Sequence, residues 1–253
     1  MGVKYEVEGA VVAVTIDRPR VRNAVDSATA AELFDCFRRF DKDPRLAAAV
    51  LTGAGGNFCA GYDLKEIAAG SGYRAGPRGR GPMGPTRMLL GKPVIAAIEG
   101  YAVAGGLELA LWCDLRVAGR GATFGIFNRR FGVPLIDLGT IRLPRLIGEG
   151  RALDLILTGR AVAATEALQI GLIDRLVATG QASREARELA ALLATMPQES
   201  MRADRMSVKT QWALSLAEAT RAEYKGGLKV LASGQSQAGA RRFTQGKGRH
   251  GAS

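Results

Sequence analysis

An almost entirely apolar segment, residues 93–113, is the feature that most constrains the fold of this chain. Its length is close to the ~20 residues that an α-helix needs to cross a bilayer. The segment nevertheless contains the carboxylates Glu99 and Glu108 and the glycine pair Gly105-Gly106, and carboxylates are costly in lipid. A buried strand followed by a buried helix is therefore the better prediction, and it places the segment in the core of a globular protein.

Strand and helix patterns alternate along the chain up to about residue 180. Apolar, β-branched runs predict strands, and apolar residues at helical spacing predict helices. The predicted strands are 11–16, 46–51, 94–98, 115–118 and 172–177, and the predicted helices are one capped by Ser27 with apolar Ala31, Phe34, Phe37 and Phe40, a short one from about Asp63, 106–112, 151–157 and 166–170. This alternation predicts an α/β core.

The chain after about residue 180 has an almost entirely helical pattern. Residues 183–194 and 213–231 have apolar residues at helical spacing, whereas the tail from Gly234 shows no core face. We therefore predict two regions, an α/β core over residues 1–180 and a helical region over residues 181–253.

Residues 70–84 are rich in glycine, proline and arginine, which predicts a mobile surface loop. The loop contains Gly79-x-Gly81-x-x-Gly84, the letters of a dinucleotide-binding turn, but no strand precedes it and a proline interrupts it. The chain has no GxSxG motif, and its one histidine, His250, lies in the tail. A Ser-His-Asp site is therefore also disfavoured.

The formal net charge of +11 suggests an anionic partner, which could be nucleic acid, a membrane surface or a polyphosphorylated cofactor. Aromatic residues make up only 6%, and no run interleaves them with basic residues, which disfavours a stacking platform for single-stranded nucleic acid. The three cysteines lack CxxC spacing, which argues against a zinc site and fits a reducing compartment. The opening residues, MGVKYEVEGA, lack the apolar run of a signal peptide. We expect a cytoplasmic protein without a membrane span, a metal or a nucleic-acid partner.

Glu108 is the strongest candidate for chemistry because nearly all of its neighbours in the sequence are apolar. Burial among apolar side chains raises the pKa of a carboxylate, which suits it to proton transfer near neutral pH. The glycines before it open a helix, whose first N–H groups are unpaired and can stabilise a developing oxyanion. The alternatives are a purely structural carboxylate and a turn that needs glycine only for steric reasons.

A second segment, FCAGYDL (58–64), has the same pattern. A turn of small residues precedes a helix, and Asp63 suits the first turn of that helix. The N–H of Tyr62 would then point outward at the N-terminal end of the helix.

FCAGYDL and the later GYAVAGGLELALWCD (100–114) together closely resemble the crotonase superfamily, the enoyl-CoA hydratase/isomerase family. Two further segments match the family, VTIDRPRVRNAVD (14–26) and GRAVAATEALQIGLIDRLV (159–177). The resemblance implies a spiral of strand-strand-helix turns, with C-terminal helices that pack into a homo-trimer or a dimer of trimers. It also implies an acyl-CoA thioester as substrate, with no cofactor beyond the CoA moiety.

The resemblance also carries over to individual residues. It implies an oxyanion hole formed by the N–H groups of Tyr62 and Gly105, and it makes the CoA phosphates the partner of the basic charge. A turn near the N-terminus would run along the CoA nucleotide and pantetheine arm. The implied substrate-binding residues are Val21, Arg22, Ala24, Ala60, Asp63, Leu64, Tyr101, Val103 and Pro134.

The chain departs from the family pattern at the catalytic carboxylates. Glu108 matches the first glutamate of the family hydratases, whereas Asn128 stands where the second is expected. An amide can hold a water or a carbonyl, but it cannot act as a base near pH 7. Asp137 is a possible substitute, and an N-cap for a helix starting near Gly139 is the equal alternative for that residue.

Three functions are compatible with these features. The first is an enzyme that transforms an acyl-CoA through an enolate, with Glu108, Asp137 and Asn128 as its catalytic residues. Hydration or double-bond isomerisation is the family default, and hydrolysis or decarboxylation is possible. The second is a non-catalytic acyl-CoA binder that kept the oxyanion hole. The third is a binder of anionic polymers driven by the net charge.

Overall fold

Alternating strands and helices precede a run of helices in the computed structural model, which describes residues 2–71, 76 and 79–246. In chain order these elements are β1 (Val3–Glu8), β2 (Val11–Ile16), α1 (Ser27–Lys42), β3 (Ala48–Gly53), α2 (Leu64–Ala68), β4 (Val94–Ile98), β5 (Tyr101–Val103), α3 (Gly105–Trp112), β6 (Leu115–Gly119), β7 (Thr123–Gly125), α4 (Gly139–Ile147), α5 (Glu149–Thr158), β8 (Ala161–Ala163), α6 (Ala164–Gln169), β9 (Arg175–Val177), α7 (Ala182–Thr195), α8 (Gln198–Thr210), α9 (Leu216–Ala232) and α10 (Gln235–Thr244). Short 3-10 helices cover Pro19–Val21, Pro85–Arg87, Phe127–Phe131 and Gln211–Ala213.

The strands form two sheets. The larger sheet has the order β1-β2-β3-β4-β6-β9, in which β1 and β2 are antiparallel and the other neighbours are parallel. The smaller sheet has the order β5-β7-β8. From β4 to β7 the chain alternates between the sheets, so that β4, β5 and α3 form one strand-strand-helix turn and β6, β7 and α4 form the next. This confirms the predicted α/β spiral.

The larger sheet is covered on both faces, which is why its parallel strands are continuous apolar runs. On one face α1 buries Leu33, Phe37 and Phe40 with alternate residues of β2 and β3. On the other face α7 buries Ala186 and Leu189. They pack with the strand residues that alternate with those buried against α1. All five residues of β4 are buried.

The apolar segment 93–113 forms β4, β5 and α3, with a short strand between the predicted strand and the predicted helix. Trp112, at the end of α3, packs edge-on against Phe37 with 4.8 Å between ring centroids. Its indole N–H donates to the carbonyl of Met88 over 2.9 Å. Within the described part of the chain, no helix is both long enough and apolar enough to cross a membrane.

The N-cap of α1 is Asp26, and the prediction of Ser27 was wrong by one residue. The Asp26 carboxylate accepts the backbone N–H of Thr29 over 2.8 Å and pairs with Arg18 over the same distance. Ser27 is the first helical residue, and its hydroxyl instead contacts the phenol of Tyr62 and the carboxylate of Glu66. The two neighbouring polar residues therefore have different structural roles.

The predicted surface loop 70–84 is wrong at its C-terminal end, because residues 81–84 are buried. Met83 is fully buried in the main core cluster. Gly84, at φ 90°, lies so close to α1 that a side chain there would meet the carbonyl of Ala30. Residues 72–75, 77 and 78 of this loop, and His250, lie outside the described residues.

The chain divides into two units, Met1–Leu193 and Ala194–Ser253, whereas the sequence pattern placed the division at residue 180. Nearly all of α7 belongs to the first unit, because its apolar face completes one side of the larger sheet. The carboxylate of Glu99 also accepts the N–H of Ala182 at the start of α7. The second unit contains α8, α9 and α10, none of which has a buried residue.

Substitutions of the two candidate N-cap residues of α1 are expected to change the stability of the protein by different amounts. Asp26→Ala is expected to lower the free energy of unfolding by about 1–2 kcal/mol, because it removes an N-cap acceptor and a partner of Arg18. Ser27→Ala, the matched control, is expected to cost less than about 0.5 kcal/mol because its contacts are solvent-exposed. Urea unfolding monitored by circular dichroism measures both values. Equal losses would contradict the assignment of Asp26 as the cap.

Candidate active site

A cavity of about 530 Å³ lies beside the start of α3. Its wall is mostly apolar, and it brings together eight of the predicted site residues from four separate segments. These eight are Ala60, Tyr62, Leu64, Gly105, Glu108, Asn128, Pro134 and Asp137, and the other lining residues are Ile67, Gly70, Pro82, Met83, Ala104, Phe127, Phe131, Gly132, Val133 and Ile136. The remaining predicted residues, Val21, Arg22, Ala24, Asp63, Tyr101 and Val103, are not part of this wall.

Tyr62 and Gly105, whose N–H groups are the predicted donor pair, both line this cavity. Gly61, at φ 101°, packs so tightly on the start of α3 that a Cβ there would lie 2.9 Å from Cβ of Ala104 and 3.0 Å from N of Gly105. The turn of Tyr62 is therefore in contact with the first turn of α3. Among the described residues, no acceptor pairs with the N–H of Tyr62 or of Gly105.

Ala104 immediately precedes α3 and has the unusual backbone angles φ 53° and ψ −127°. Such a conformation costs a non-glycine residue of order 1–3 kcal/mol. The backbone N–H of Ala104 donates to the carbonyl of Gly125 over 2.9 Å. Because Gly125 is the last residue of β7, this strand helps to hold Ala104 in its strained conformation. The orientation of the next N–H, that of Gly105, is fixed as a result.

Cys59 ties the Tyr62 turn to β5. Its N–H donates to Tyr101 over 2.8 Å, and its carbonyl accepts the N–H of Val103 over 3.1 Å. A Cβ on Gly106 would lie 2.1 Å from the same carbonyl, so only glycine allows α3 to approach this closely. The backbones of Tyr101 and Val103 thus hold the Tyr62 turn in place, although neither residue lines the cavity.

The turn that contains Val21, Arg22 and Ala24 lies directly against the Tyr62 turn. The carbonyl of Arg22 accepts the N–H of Ala60 over 3.0 Å, and the Arg22 guanidinium stacks over the ring of Tyr101, 5.1 Å from its centroid. The predicted CoA-contacting turn and the cavity wall are therefore neighbours.

Arg18 and Asn23 hold this turn in place, although the sequence patterns gave no signal for either. Arg18 bridges the carboxylates of Asp26 and Asp63, over 2.8 and 3.3 Å. Asn23 is fully buried in the left-handed region at φ 58°. Its amide donates to the carbonyls of Ala54 and Asn57 and accepts the N–H of Arg18.

Glu108 is only 3% exposed, and α3 directs it into the cavity wall. Its Oε1 accepts the N–H groups of Asp137, over 2.9 Å, and of Gly139, over 2.8 Å. Burial, and secondly the negative charge of Asp137, raise the pKa of Glu108 to about 8. The prediction of a buried glutamate with a raised pKa is confirmed.

Asp137 is 2% exposed and its carboxylate does not cap α4. The residue before α4 is Leu138, in the left-handed region, so the N-cap alternative was wrong. The Asp137 carboxylate instead accepts the N–H of Met83 over 3.2 Å and the hydroxyl of Thr86. Burial raises its pKa. Met83, at the end of the 70–84 loop, and Thr86, in the 3-10 helix that follows it, are thus part of the site and were missed by the sequence patterns.

Asn128 lies in the 3-10 helix Phe127–Phe131 and is 6% exposed. Its Nδ2 donates to the carbonyl of Val133 over 2.7 Å. Its Oδ1 is buried, and no described residue donates a hydrogen bond to it. The cavity therefore contains two carboxyl groups and one amide with an unused acceptor.

Similarity to known proteins identifies the family. The family model for enoyl-CoA hydratase/isomerase matches residues 6–249. Enoyl-CoA hydratase EchA19 of Mycobacterium tuberculosis is 36% identical over 250 residues, which cover 95% of this chain and 92% of that protein. Carnitinyl-CoA dehydratase of Proteus mirabilis is 40% identical over 184 residues, which cover 72% of this chain and 70% of that protein.

Solved structures agree with the sequence relatives. The crystal structure of enoyl-CoA hydratase EchA1 from Mycobacterium marinum has a TM-score of 0.90 and 35% identity, and the match covers 96% of both chains. The chain therefore belongs to the enoyl-CoA hydratase/isomerase family, in the crotonase superfamily. Its relatives are named as enzymes, so it is an enzyme of this family rather than a binder without activity.

The raised pKa of Glu108 predicts a pH-dependent stability. Between pH 4.5, the ordinary pKa of glutamate, and about 8, the folded chain holds a proton on Glu108 that the unfolded chain has lost. This contribution to stability is therefore complete below pH 4.5 and decreases as the pH rises to about 8. Urea unfolding of the wild type at pH 6 and pH 9 is expected to show a loss of about 2–3 kcal/mol from this group.

Glu108→Gln is expected to remove that loss, because glutamine does not titrate and still accepts both N–H groups. Glu149→Gln is the matched control, since Glu149 is exposed at the start of α5. It should keep the pH dependence of the wild type. An unchanged pH dependence in Glu108→Gln would contradict the raised pKa.

The position of Gly139 beside Glu108 leaves no room for a side chain. A Cβ at Gly139 would lie 2.7 Å from Oε1 of Glu108, so Gly139→Ala is expected to lower the free energy of unfolding by about 1–3 kcal/mol. Gly150→Ala is the matched control, because Gly150 is also in the first turn of a helix and its Cβ would meet nothing within 4 Å. That variant should be neutral or stabilised by up to about 1 kcal/mol. Thermal unfolding followed by calorimetry compares them.

Proposed function

We propose that this enzyme transforms an acyl-CoA thioester through an enolate. In this proposal the thioester carbonyl oxygen accepts hydrogen bonds from the N–H groups of Tyr62 and Gly105, and Glu108 transfers a proton at the carbon next to the carbonyl. One observation carries the proposal: a buried carboxyl with a raised pKa lines the same cavity as the Tyr62 turn and the first turn of α3.

The two N–H groups suit the charge that such a reaction develops. Removal of a proton next to a thioester moves negative charge onto the carbonyl oxygen. An N–H pair that lacks other acceptors and is held by the backbone is already oriented for this charge, and each donor contributes about 3 kcal/mol in comparable sites. The N-terminal end of α3 adds a partial positive charge.

Glu108 suits the proton transfer. Its Oε1 is occupied by two backbone N–H groups, which fix the carboxyl and leave Oε2 for the substrate. A pKa of about 8 lies close to neutral pH, so both the acid and the base forms are populated in the working range. Asp137 contributes by raising this pKa, and it is the candidate for the second carboxylate.

The CoA moiety is proposed to lie along the turn of Val21, Arg22 and Ala24. This turn is hydrogen-bonded to Ala60 in the cavity wall, and Arg18 fixes it to Asp63. Arg22 and the net charge of +11 provide attraction for the CoA phosphates. Leu64 and Pro134 line the cavity, and Tyr101 and Val103 support the Tyr62 turn.

Hydration or dehydration of an acyl-CoA is the favoured reaction within this scheme. It is supported by relatives named enoyl-CoA hydratase and carnitinyl-CoA dehydratase. Double-bond isomerisation, hydrolysis and decarboxylation are the alternatives, because all of them use the same enolate or oxyanion. Crotonyl-CoA, followed by mass spectrometry, tests the choice: a gain of one water supports hydration, and release of CoA supports hydrolysis.

A homo-trimer or a dimer of trimers is proposed for the assembly. The second unit exposes large apolar side chains that include Leu216, Tyr224, Leu231 and Phe243, and apolar surface of this kind is typical of interfaces. A cytoplasmic location stays a prediction from the sequence.

The enolate itself is tested by hydrogen exchange. In D₂O, the wild type is expected to introduce deuterium at carbon 2 of butyryl-CoA, which cannot react further, and mass spectrometry detects the gain. Glu108→Gln should slow this exchange by about 10²–10⁴-fold, whereas Glu149→Gln should leave it unchanged. Because the base is the carboxylate, kcat/KM for exchange should rise with pH up to about 8. Unchanged exchange in Glu108→Gln would refute the assigned role.

A further inference from the structure

The turn formed by residues 137–139 orients the carboxyl group of Glu108. The N–H groups of Asp137 and Gly139 both donate to the same oxygen, Oε1 of Glu108, over 2.9 and 2.8 Å. Leu138, which lies between them, is in the left-handed region, at φ 70° and ψ 19°. That region is unfavourable for a residue with a side chain. The turn that holds Glu108 therefore depends on surrounding contacts to keep its conformation.

Arg142, in the first turns of α4, supplies such a contact. Its Nη1 donates to the carbonyl of Asp137 over 3.1 Å. This carbonyl belongs to the peptide between Asp137 and Leu138, and the peptides on either side of it are the two that donate to Glu108. The Arg142 side chain therefore fixes the middle peptide of the strained turn.

The second guanidinium nitrogen links this turn to the segment that binds Asp137. Nη2 of Arg142 donates to the carbonyl of Thr86 over 2.6 Å. The hydroxyl of the fully buried Thr86 in turn donates to the carboxylate of Asp137. One guanidinium thus holds the backbone that orients Glu108 and the residue that orients Asp137. Arg142 is not among the residues that line the cavity, so it acts on the site through these two carboxyl groups.

The charge of Arg142 acts on the same two groups. Burial raises the pKa of Glu108 most and the charge of Asp137 raises it further, whereas Arg142 lowers it. Burial also raises the pKa of Asp137, and the charges of Arg87, from the 3-10 helix Pro85–Arg87, and of Arg142 oppose this rise. The other titratable side chains that act on Arg142 are Cys113 and Arg145. Because a guanidinium does not deprotonate in a protein, Arg142 permanently favours the ionised form of both carboxyl groups.

We propose that Arg142 is a positioning residue for the proton transfer: its two hydrogen bonds fix the orientation of the Glu108 carboxyl group, and its positive charge stabilises the carboxylate form. This inference rests on the proposed role of Glu108 and adds a second residue to it. A misplacement of about 1 Å at a reacting group can lower a rate about 10²-fold. The loss of Arg142 is therefore expected to be visible in the rate without any change in the cavity wall.

Two substitutions separate the hydrogen bonds of Arg142 from its charge. Arg142→Lys keeps the charge, but an ammonium does not reproduce the planar pair of donors, whereas Arg142→Met removes both. The measured reaction is deuterium exchange at carbon 2 of butyryl-CoA. We expect kcat at the alkaline plateau to fall about 10–100-fold in both variants. KM should stay within about twofold of the wild-type value, because Arg142 does not line the cavity.

The pH dependence of the same exchange measures the effect of the charge. The midpoint of the rise in rate with pH should move upward by about one pH unit in Arg142→Met, because the carboxylate loses a nearby cation. It should stay in place in Arg142→Lys. Arg151→Met is the matched control, since Arg151 is exposed on α5. That variant should keep the wild-type kcat, KM and midpoint.

Two results would overturn the inference. One is a wild-type kcat and midpoint in Arg142→Met. The other is a rise in KM that accompanies the fall in kcat at an unchanged midpoint, because that pattern indicates a general distortion of the cavity. If thermal unfolding shows that Arg142→Met does not fold, Arg142→Gln replaces it, since glutamine also removes the charge and should shift the midpoint in the same direction.

A measurement without turnover keeps this inference separate from the proposed function. Urea unfolding from about pH 6 to about pH 10 follows the ionisation of Glu108 through its effect on stability, and Glu108→Gln in each background gives the baseline. In Arg142→Met the decrease in stability due to Glu108 should continue to a pH about one unit higher than in the wild type. An absence of exchange in the wild type would count against the proposed function, whereas an unshifted decrease in Arg142→Met would count against the role of Arg142.

Discussion

The close approach between α3 and the turn that carries Tyr62 is the contact on which the site depends. The hypothetical Cβ atoms at Gly61 and Gly106 would both meet neighbouring backbone, at N of Gly105 and at the carbonyl of Cys59. Two glycines from different segments therefore let the backbones touch. The two sheets supply the framework, because β5 is hydrogen-bonded to Cys59 and β7 to Ala104. Without this contact Tyr62 and Gly105 would not line one cavity.

A second constraint follows from burying acidic groups in that framework. Glu108 and Asp137 are each held by donors that include backbone N–H groups, which offset part of the cost of their burial. Their proximity disfavours ionisation of Glu108. The free energy of unfolding is lowered most at alkaline pH, where the buried Glu108 is ionised. A carboxyl group suited to proton transfer therefore makes the stability of the fold depend on pH.

Local patterns in the sequence predicted most of the long elements and, together with the family resemblance, eight residues of the cavity wall. Glu108 and Tyr62 lie in short motifs in which glycine, an apolar helix and a polar group are close in sequence, so one segment contains the whole signal. The strands β5, β7 and β8 were missed because three-residue strands show no periodicity. Met83 and Thr86 were missed because their partner, Asp137, is more than 50 residues away in the sequence, and Arg18 was missed as a link to the cavity wall because Asp63 is 45 residues away. The turn at Asp26 was misjudged by one residue because both neighbours can cap a helix.

Ala104 shows how narrow the choice of residue can be at one position. Its backbone angles are those that glycine adopts most easily, and glycine would relieve the strain. Glycine would also restore freedom to the peptide that presents the N–H of Gly105. A larger residue would keep the constraint, but its side chain would extend into the cavity that Ala104 lines and take volume from the ligand. Selection for catalysis and selection for stability therefore favour different residues here, and alanine is the smallest side chain that still restricts the backbone.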